Sequence, residues 1–137
     1  MIVLVDTNVL LDVIQERKPF DANATRVWKL VEDGKIDGHV SALSYNNIFY
    51  VVRKQLGAQS ALDAVRLVRQ AFRFVPTDEQ VIDWALAAKA GDFEDAIQAA
   101  AANRAGADCI VTRNAKDFAP FGVVALTPEE LLALVQP

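Results

Sequence analysis

The chain has 137 residues, 53% of them apolar and 23% charged, which suits one compact domain with a sizeable core and argues against a disordered chain or two domains. Its formal net charge of −4 argues against a long basic duplex-binding face, but leaves open a site built from carboxylates. One cysteine, Cys109, excludes an internal disulfide, and one histidine, His39, leaves too few ligands for a zinc site of His and Cys.

Met1 to Val5 is apolar, but Asp6 ends the run before it could form a membrane span or a signal-peptide core. A cytoplasmic protein without membrane contact is expected. Ile2 to Val5 reads as a buried first strand. Val9, Leu10, Val13 and Ile14 recur at helical spacing, and Arg17-Lys18-Pro19 ends that helix. Val27, Trp28, Leu30 and Val31 mark a second helix, closed by Gly34. Ile36, Gly38 and Val40 alternate as a second strand. Ser44 is placed to cap a third helix with Ile48, Val51, Val52 and Leu56 on its apolar stripe and Gly57 as its stop. The fourth helix is expected to use Leu62, Val65, Leu67 and Val68, and Phe72 to Val75 is a third strand stopped by Pro76. Thr77 and Gln80 have capping-box spacing for a fifth helix. Gly91 separates it from an alanine-rich helix of about Asp92 to Arg104, closed by Gly106. Cys109 to Thr112 is a fourth buried strand, with Cys109 a small core hydrophobe. Val123 to Leu126 is a short fifth, and Thr127-Pro128-Glu129 opens a last helix.

No repeat or linker interrupts the pattern, so residues 1–137 are read as one α/β domain. Strands alternating with helices predict a central parallel sheet of four to five strands flanked by about seven helices. Ligands bind such sheets outside the carboxyl ends of the strands. The polar residues fall there: Asp6 after the first strand, Ser41 with Asn46 and Asn47 after the second, and Arg113, Asn114 and Asp117 after the fourth.

Asp6, followed by Thr7 and Asn8, can be a mere helix cap. Asp92-Phe93-Glu94-Asp95 can be acids set against a helix dipole, with Asp92 and Asp95 on one face and Glu94 turned elsewhere. Asp117 can be a solvated loop acid. Taken together, carboxylates from three distant segments at one sheet edge suit an oxygen-liganded cation such as Mg²⁺ or Mn²⁺. No glycine-rich dinucleotide loop or phosphate loop is present.

These motifs resemble the PIN domain family, and within it the VapC-like toxins: Asp6-Thr7-Asn8 after the first strand, Asp95-Ala96-Ile97 in the alanine-rich helix, and Thr112-Arg113-Asn114 with Lys116-Asp117-Phe118 after the fourth strand. The resemblance runs from Met1 to about Leu134. It implies a Mg²⁺- or Mn²⁺-dependent endoribonuclease, the toxin of a toxin–antitoxin pair, with RNA as substrate, an antitoxin protein as partner and a homodimeric assembly. Asp6 matches the family's first acid and Asp95 its third. The fourth falls on Asn114 or Asp117, of which the charged Asp117 is preferred. The second acid, a Glu six residues after the Ser that follows the second strand, is here Asn47. This substitution, also found in a subgroup with Asn-Ile-x-Tyr as in Asn47 to Tyr50, removes a charge that Asp92 is placed to restore.

The expected site therefore has Asp6, Asp95, Asp92 and Asp117 as metal ligands, and Asn47 orienting water or phosphate. Thr7, Thr112 and Asn114 hold the carboxylates, and Arg113 and Lys116 face flanking phosphates. Arg17 and Lys18 read as ordinary solvated charge. Tyr45, Phe49 and Tyr50 read as core or interface rather than base-stacking rings, and Trp28 and Trp84 as core. Two rival functions compete. An aspartyl-phosphate phosphatase also places an Asp after the first strand, but needs a second acid where Asn8 stands. A PIN-like binding module, catalytically weak or inactive because of Asn47, would act through protein or nucleic-acid contacts.

Overall fold

A computed structural model describes residues 1–89 and 91–136. Its first half comprises β1 (Ile2–Val5), α1 (Thr7–Ile14), α2 (Asp21–Glu32), β2 (Asp37–Ser41), α3 (Ala42–Leu56) and α4 (Ala58–Ala71). Then come β3 (Arg73–Val75), α5 (Glu79–Ala88), α6 (Phe93–Ala105), β4 (Cys109–Val111), a 3-10 helix (Ala115–Phe121), β5 (Ala125–Leu126) and α7 (Pro128–Val135). The strands form one five-stranded parallel sheet in the order β3-β2-β1-β4-β5.

Side chains alternate across a strand, so β1 feeds two cores. Val3 and Val5 point into one with α1 to α4 and α7, while Leu4 points into the other with α5, α6 and the 3-10 helix. The sheet is therefore covered on both faces, which is why its central strands β1 and β4 read as unbroken apolar runs. Strand order reverses between β1 and β4, and the crevice outside their carboxyl ends is the switch point where such sheets place ligands. Val5 pairs with Val111, so Asp6 and Thr112 leave the sheet side by side.

Several local expectations are corrected. Helix α3 is capped by Ser41 rather than Ser44. Ser41 keeps the extended backbone of the strand it ends (φ −73°, ψ 153°), so strand passes to helix without a loop and Ser44 falls inside the first turn. Helix α5 is capped by Asp78, whose Oδ1 accepts from the Val81 N–H at 3.0 Å, and not by Thr77. Asp92 caps α6 by accepting from the Asp95 N–H, so its carboxylate lies at the helix mouth rather than on a helix face. Strands β4 and β5 are shorter than expected, at Cys109–Val111 and Ala125–Leu126, although the Thr112 N–H still donates to the Leu126 carbonyl at 2.9 Å. The segment read as a loop around Asp117 is a 3-10 helix.

The buried stripe of α4 is Ala61, Ala64 and Val68, whereas Leu62 and Leu67 face solvent, as does Leu56 of α3. Small residues at that seam let α4 lie close against α3. Gly38 is needed for a similar reason: a Cβ there would sit 2.7 Å from Val31 and 2.8 Å from Phe72. Trp28 and Cys109 are buried as expected. Trp84, Tyr45 and Phe49 are only partly so, and Tyr50 is 60% exposed. Among the described residues no helix is long and apolar enough to cross a membrane.

Candidate active site

The site begins where β1 ends. The Asp6 N–H donates to the Val111 carbonyl at 2.9 Å, continuing the sheet, and its side chain then turns into the switch-point crevice. Oδ1 accepts from the Thr7 N–H (2.8 Å) and from the Gln98 amide (3.0 Å). Oδ2 accepts from the Thr112 hydroxyl at 2.8 Å. A helix cap needs only the first of these, so capping does not account for the rest. Burial pushes the Asp6 carboxyl above its ordinary range, against the pull of Thr112, Gln98 and the Thr7 N–H.

Thr112 is fully buried. Its oxygen also accepts from the Asn114 N–H at 3.1 Å and from the Asn8 amide at 3.3 Å. Asn8 returns the contact through the Arg113 N–H at 3.3 Å. Asn8 thus ties α1 to the segment after β4.

Asp95 lies across the crevice in the first turn of α6. Its carboxylate makes no hydrogen bond among the described residues, and its pKa is pushed up to about 6. Burial is the largest cause, followed by the charges of Asp92, Asp6, Asp117 and Glu94. Burial and four neighbouring carboxylates together thus disfavour the charge on Asp95, at a place where negative charge has collected.

Asp6, Asp95, Asn47 and Asn114 line one cleft of about 320 Å³ with Thr7 and Glu94. A hollow of about 560 Å³ lies at the opposite, amino-terminal edge of the strands, but its acid, Asp37, is paired with Arg73 at 3.0 Å. Chemistry rather than size selects the smaller cleft.

Some expected residues sit elsewhere. Asp117 and Lys116 are exposed and do not line the cleft, where Asn114 stands instead; Asp117 acts on Asp95 through its charge alone. Glu94, expected to turn away, lines the cleft and accepts from the Asn47 amide at 3.0 Å. Helix α3 approaches the mouth of α6 there, a contact between distant segments that helical phase cannot show. Arg113 is not directed at the cleft: its Nε lies 2.9 Å from Oδ2 of the fully buried Asp12, and its guanidinium covers the Phe20 ring at 4.1 Å. The Arg113 N–H is not aimed at the oxygen, so the contact is an ion pair without hydrogen-bond geometry. Arg17, read as solvated, lines the cleft instead, and Lys18 pairs with Asp21 at 2.7 Å.

Gln98, Ser44, Asn8, Asp12 and Glu94 were not singled out as site residues from the sequence. Gln98 alone carried a signal, as the one polar side chain in the otherwise apolar run Ala96 to Ala102.

Among the described residues no three acids, histidines or cysteines converge as a ready-made cage for an ion. The donor chemistry nevertheless fits Mg²⁺ or Mn²⁺. Mg²⁺ takes oxygen ligands, commonly one or two carboxylates with the remaining positions filled by water and substrate phosphate. Asp6 and Asp95 supply such a pair, and the charge that raises the Asp95 pKa is what a cation would neutralise.

The PIN domain family profile matches residues 2–116. The chain belongs to the PIN domain family. Ribonuclease VapC1 of Aquifex aeolicus is 26% identical over 133 residues, covering 93% of this chain and 91% of that protein. The DNA-bound VapBC structure from Salmonella typhimurium matches with a TM-score of 0.73 at 16% identity, covering 93% of this chain and 98% of that one. A toxin–antitoxin complex from Klebsiella pneumoniae matches with a TM-score of 0.69 at 22% identity, over 92% and 97% of the two chains. At these identities the two structures speak to the PIN fold alone.

Proposed function

We propose that this PIN domain is a divalent-cation-dependent endoribonuclease acting as the toxin of a toxin–antitoxin pair. The observation that carries the catalytic reading is the cleft itself, which Asp6 and Asp95 line from the end of β1 and the start of α6, and where burial and then neighbouring carboxylate charge lift the Asp95 pKa to about 6. The likeness to a protein named ribonuclease supports RNA as the substrate. The likeness to structures named VapBC and toxin–antitoxin complex supports an antitoxin partner.

In this reading Asp6 and Asp95 hold Mg²⁺ or Mn²⁺, with Asp92 and Asp117 contributing charge from the rim. When bound, the cation supplies Lewis-acid stabilisation of the charge that develops on the scissile phosphodiester and on its leaving oxygen. The protein supplies position. Thr112 and Gln98 keep the Asp6 carboxylate in one orientation. Asn114 and Asn47 offer amide groups to water or to a phosphate oxygen, and Asn47 does so while holding Glu94. Arg17, at the cleft wall, is the cation placed to meet a flanking phosphate.

The test is cleavage of RNA with Mg²⁺, with Mn²⁺ and with chelator, for the wild type, Asp6→Asn and Asp95→Asn. Cleavage that requires the cation and is lost in both variants is expected. A wild type that cuts no RNA with either ion, or variants that cut as well as wild type, would overturn the nuclease reading. Absence of cleavage by the wild type would favour the binding-module alternative, for which the neutral Asn47 is the specific observation.

A further inference from the structure

Gln98 sits on α6 with 1% of its surface exposed. An amide buried so deeply is costly unless its polar atoms are partnered, and here all are. Its nitrogen donates to Asp6 Oδ1 (3.0 Å) and to Ser44 Oγ (2.9 Å), and its oxygen accepts from Ser41 Oγ (2.5 Å).

The proton inventory fixes the direction of this chain. The Asp6 carboxylate accepts, so the Gln98 nitrogen faces it, and the flipped amide would set oxygen against oxygen. The Gln98 oxygen is thereby turned to Ser41, whose hydroxyl proton it accepts. Ser44 has then received a proton from Gln98 and has one to give. Ser41 Oγ stands 3.4 Å away, beyond the O–H···O range, whereas Thr7 Oγ1 stands at 2.7 Å. Either hydroxyl can donate across that contact, but only donation by Ser44 gives the proton of this fully buried residue a close partner among the described side chains. In that arrangement the Thr7 proton is left for the cleft, which Thr7 lines with Asp95.

The same amide decides how Asp6 is presented. A carboxylate has about two acceptor positions on each oxygen. Oδ1 spends both on the Thr7 N–H and Gln98, while Oδ2 spends one on Thr112. The position left open is on Oδ2.

We infer that Gln98 is a positioning residue for the cleft. It commits Asp6 to meet a cation through Oδ2 and, by way of Ser44, commits the Thr7 hydroxyl to donate to an anionic oxygen of the substrate. The inference rests on the metal-dependent reading above and adds to it which oxygen binds and which hydroxyl donates.

The experiment measures binding of Mn²⁺ alone by calorimetry, and steady-state RNA cleavage at saturating Mn²⁺. Gln98→Met, which keeps the shape and removes every polar atom, is expected to weaken Mn²⁺ binding by roughly 10- to 100-fold, as loss of a ligand-orienting partner does. Ile97→Val, a core truncation one residue away, is expected to leave Mn²⁺ binding unchanged, so general loosening of α6 would not mimic the effect. Ser41→Ala deletes the donor to the Gln98 oxygen together with the side-chain cap of α3, leaving the amide held on its nitrogen side alone. It is expected to weaken Mn²⁺ binding in the same direction, and it serves if Gln98→Met does not fold. Thr7→Val is expected to keep Mn²⁺ affinity and lose about tenfold or more in cleavage, the worth of a hydrogen bond to a charged group, with Thr7→Ser restoring it. Wild-type Mn²⁺ affinity in folded Gln98→Met or Ser41→Ala overturns the role of Gln98. Wild-type cleavage by Thr7→Val overturns the donor assignment. Asp6→Asn separates the two levels: if it binds Mn²⁺ normally the metal reading itself fails, and if it alone loses Mn²⁺ only the positioning inference fails.

Discussion

Replacing Asp95 with Asn should make the metal-free protein more stable while abolishing its cleavage. The Asp95 carboxyl is lifted from 3.8 to about 6 by burial and by Asp92, Asp6, Asp117 and Glu94. A group whose folded pKa is raised favours the fold while protonated, and that contribution fades as pH rises through the folded value. At pH 7.5 Asp95 is charged, so the fold carries the full penalty. At about 1.4 kcal/mol per unit the shift amounts to about 3 kcal/mol, and the partial exposure of Asp95 screens this to about 1–2 kcal/mol. For a domain of this size that is roughly 3–8 °C in Tm. Thermal unfolding in chelator at pH 7.5 should show Asp95→Asn melting above wild type. Lowering the pH to 5 should raise the wild-type Tm and narrow the gap, because protonation then does what the mutation did. Adding Mn²⁺ should reverse the order, since the cation stabilises only the protein that binds it. A variant that melts below wild type in chelator, or a gap that is unchanged between pH 7.5 and pH 5, would refute the reasoning.

Other consequences can be measured alongside. Arg113→Ala removes the main partner of the fully buried Asp12 and should cost about 3 kcal/mol in chemical denaturation. Burial already raises the Asp12 pKa against the pull of Arg113, so the variant should regain stability as pH falls, and equal loss at pH 8 and pH 5 would contradict this. Thr112→Val deletes the donor to Asp6 Oδ2 and should lower Mn²⁺ affinity roughly tenfold or more, as read by calorimetry. Asn47→Glu turns the amide contact with Glu94 into a meeting of like charges. It should lower the metal-free Tm and raise Mn²⁺ affinity, and the double variant with Glu94→Gln should recover the Tm. Gly38→Ala would drive a methyl into Val31 and Phe72 and should cost about 1–3 kcal/mol in denaturant unfolding.

How much of this was legible follows from where each signal is stored. The parallel sheet was legible because its central strands, β1 and β4, are buried and read as short apolar runs between helices, with the alternating β2 and the shorter β3 and β5 set off by helices in the same way. The site's edge was legible because an acid directly after an apolar strand must lie at that strand's carboxyl end. Cap positions were less so. Ser41 against Ser44, and Asp78 against Thr77, differ by a few residues and offer similar chemistry, and backbone geometry decides between them.

The amino-acid sequence by itself determined the α/β layering, the family to which the motifs belong, and the pairing of Asp6 with Asp95 at one sheet edge. Periodicity and strand-end chemistry are local, and local order carries them. Only the tertiary structure decided which side chains complete the site. Gln98 reaches Asp6 from 92 residues away, Glu94 reaches Asn47 from 47, and Arg113 is drawn from the substrate side to the buried Asp12. Each of these contacts joins segments far apart in the chain and depends on how the helices are packed against the sheet, which gives each polar group a partner that its sequence neighbours could not name.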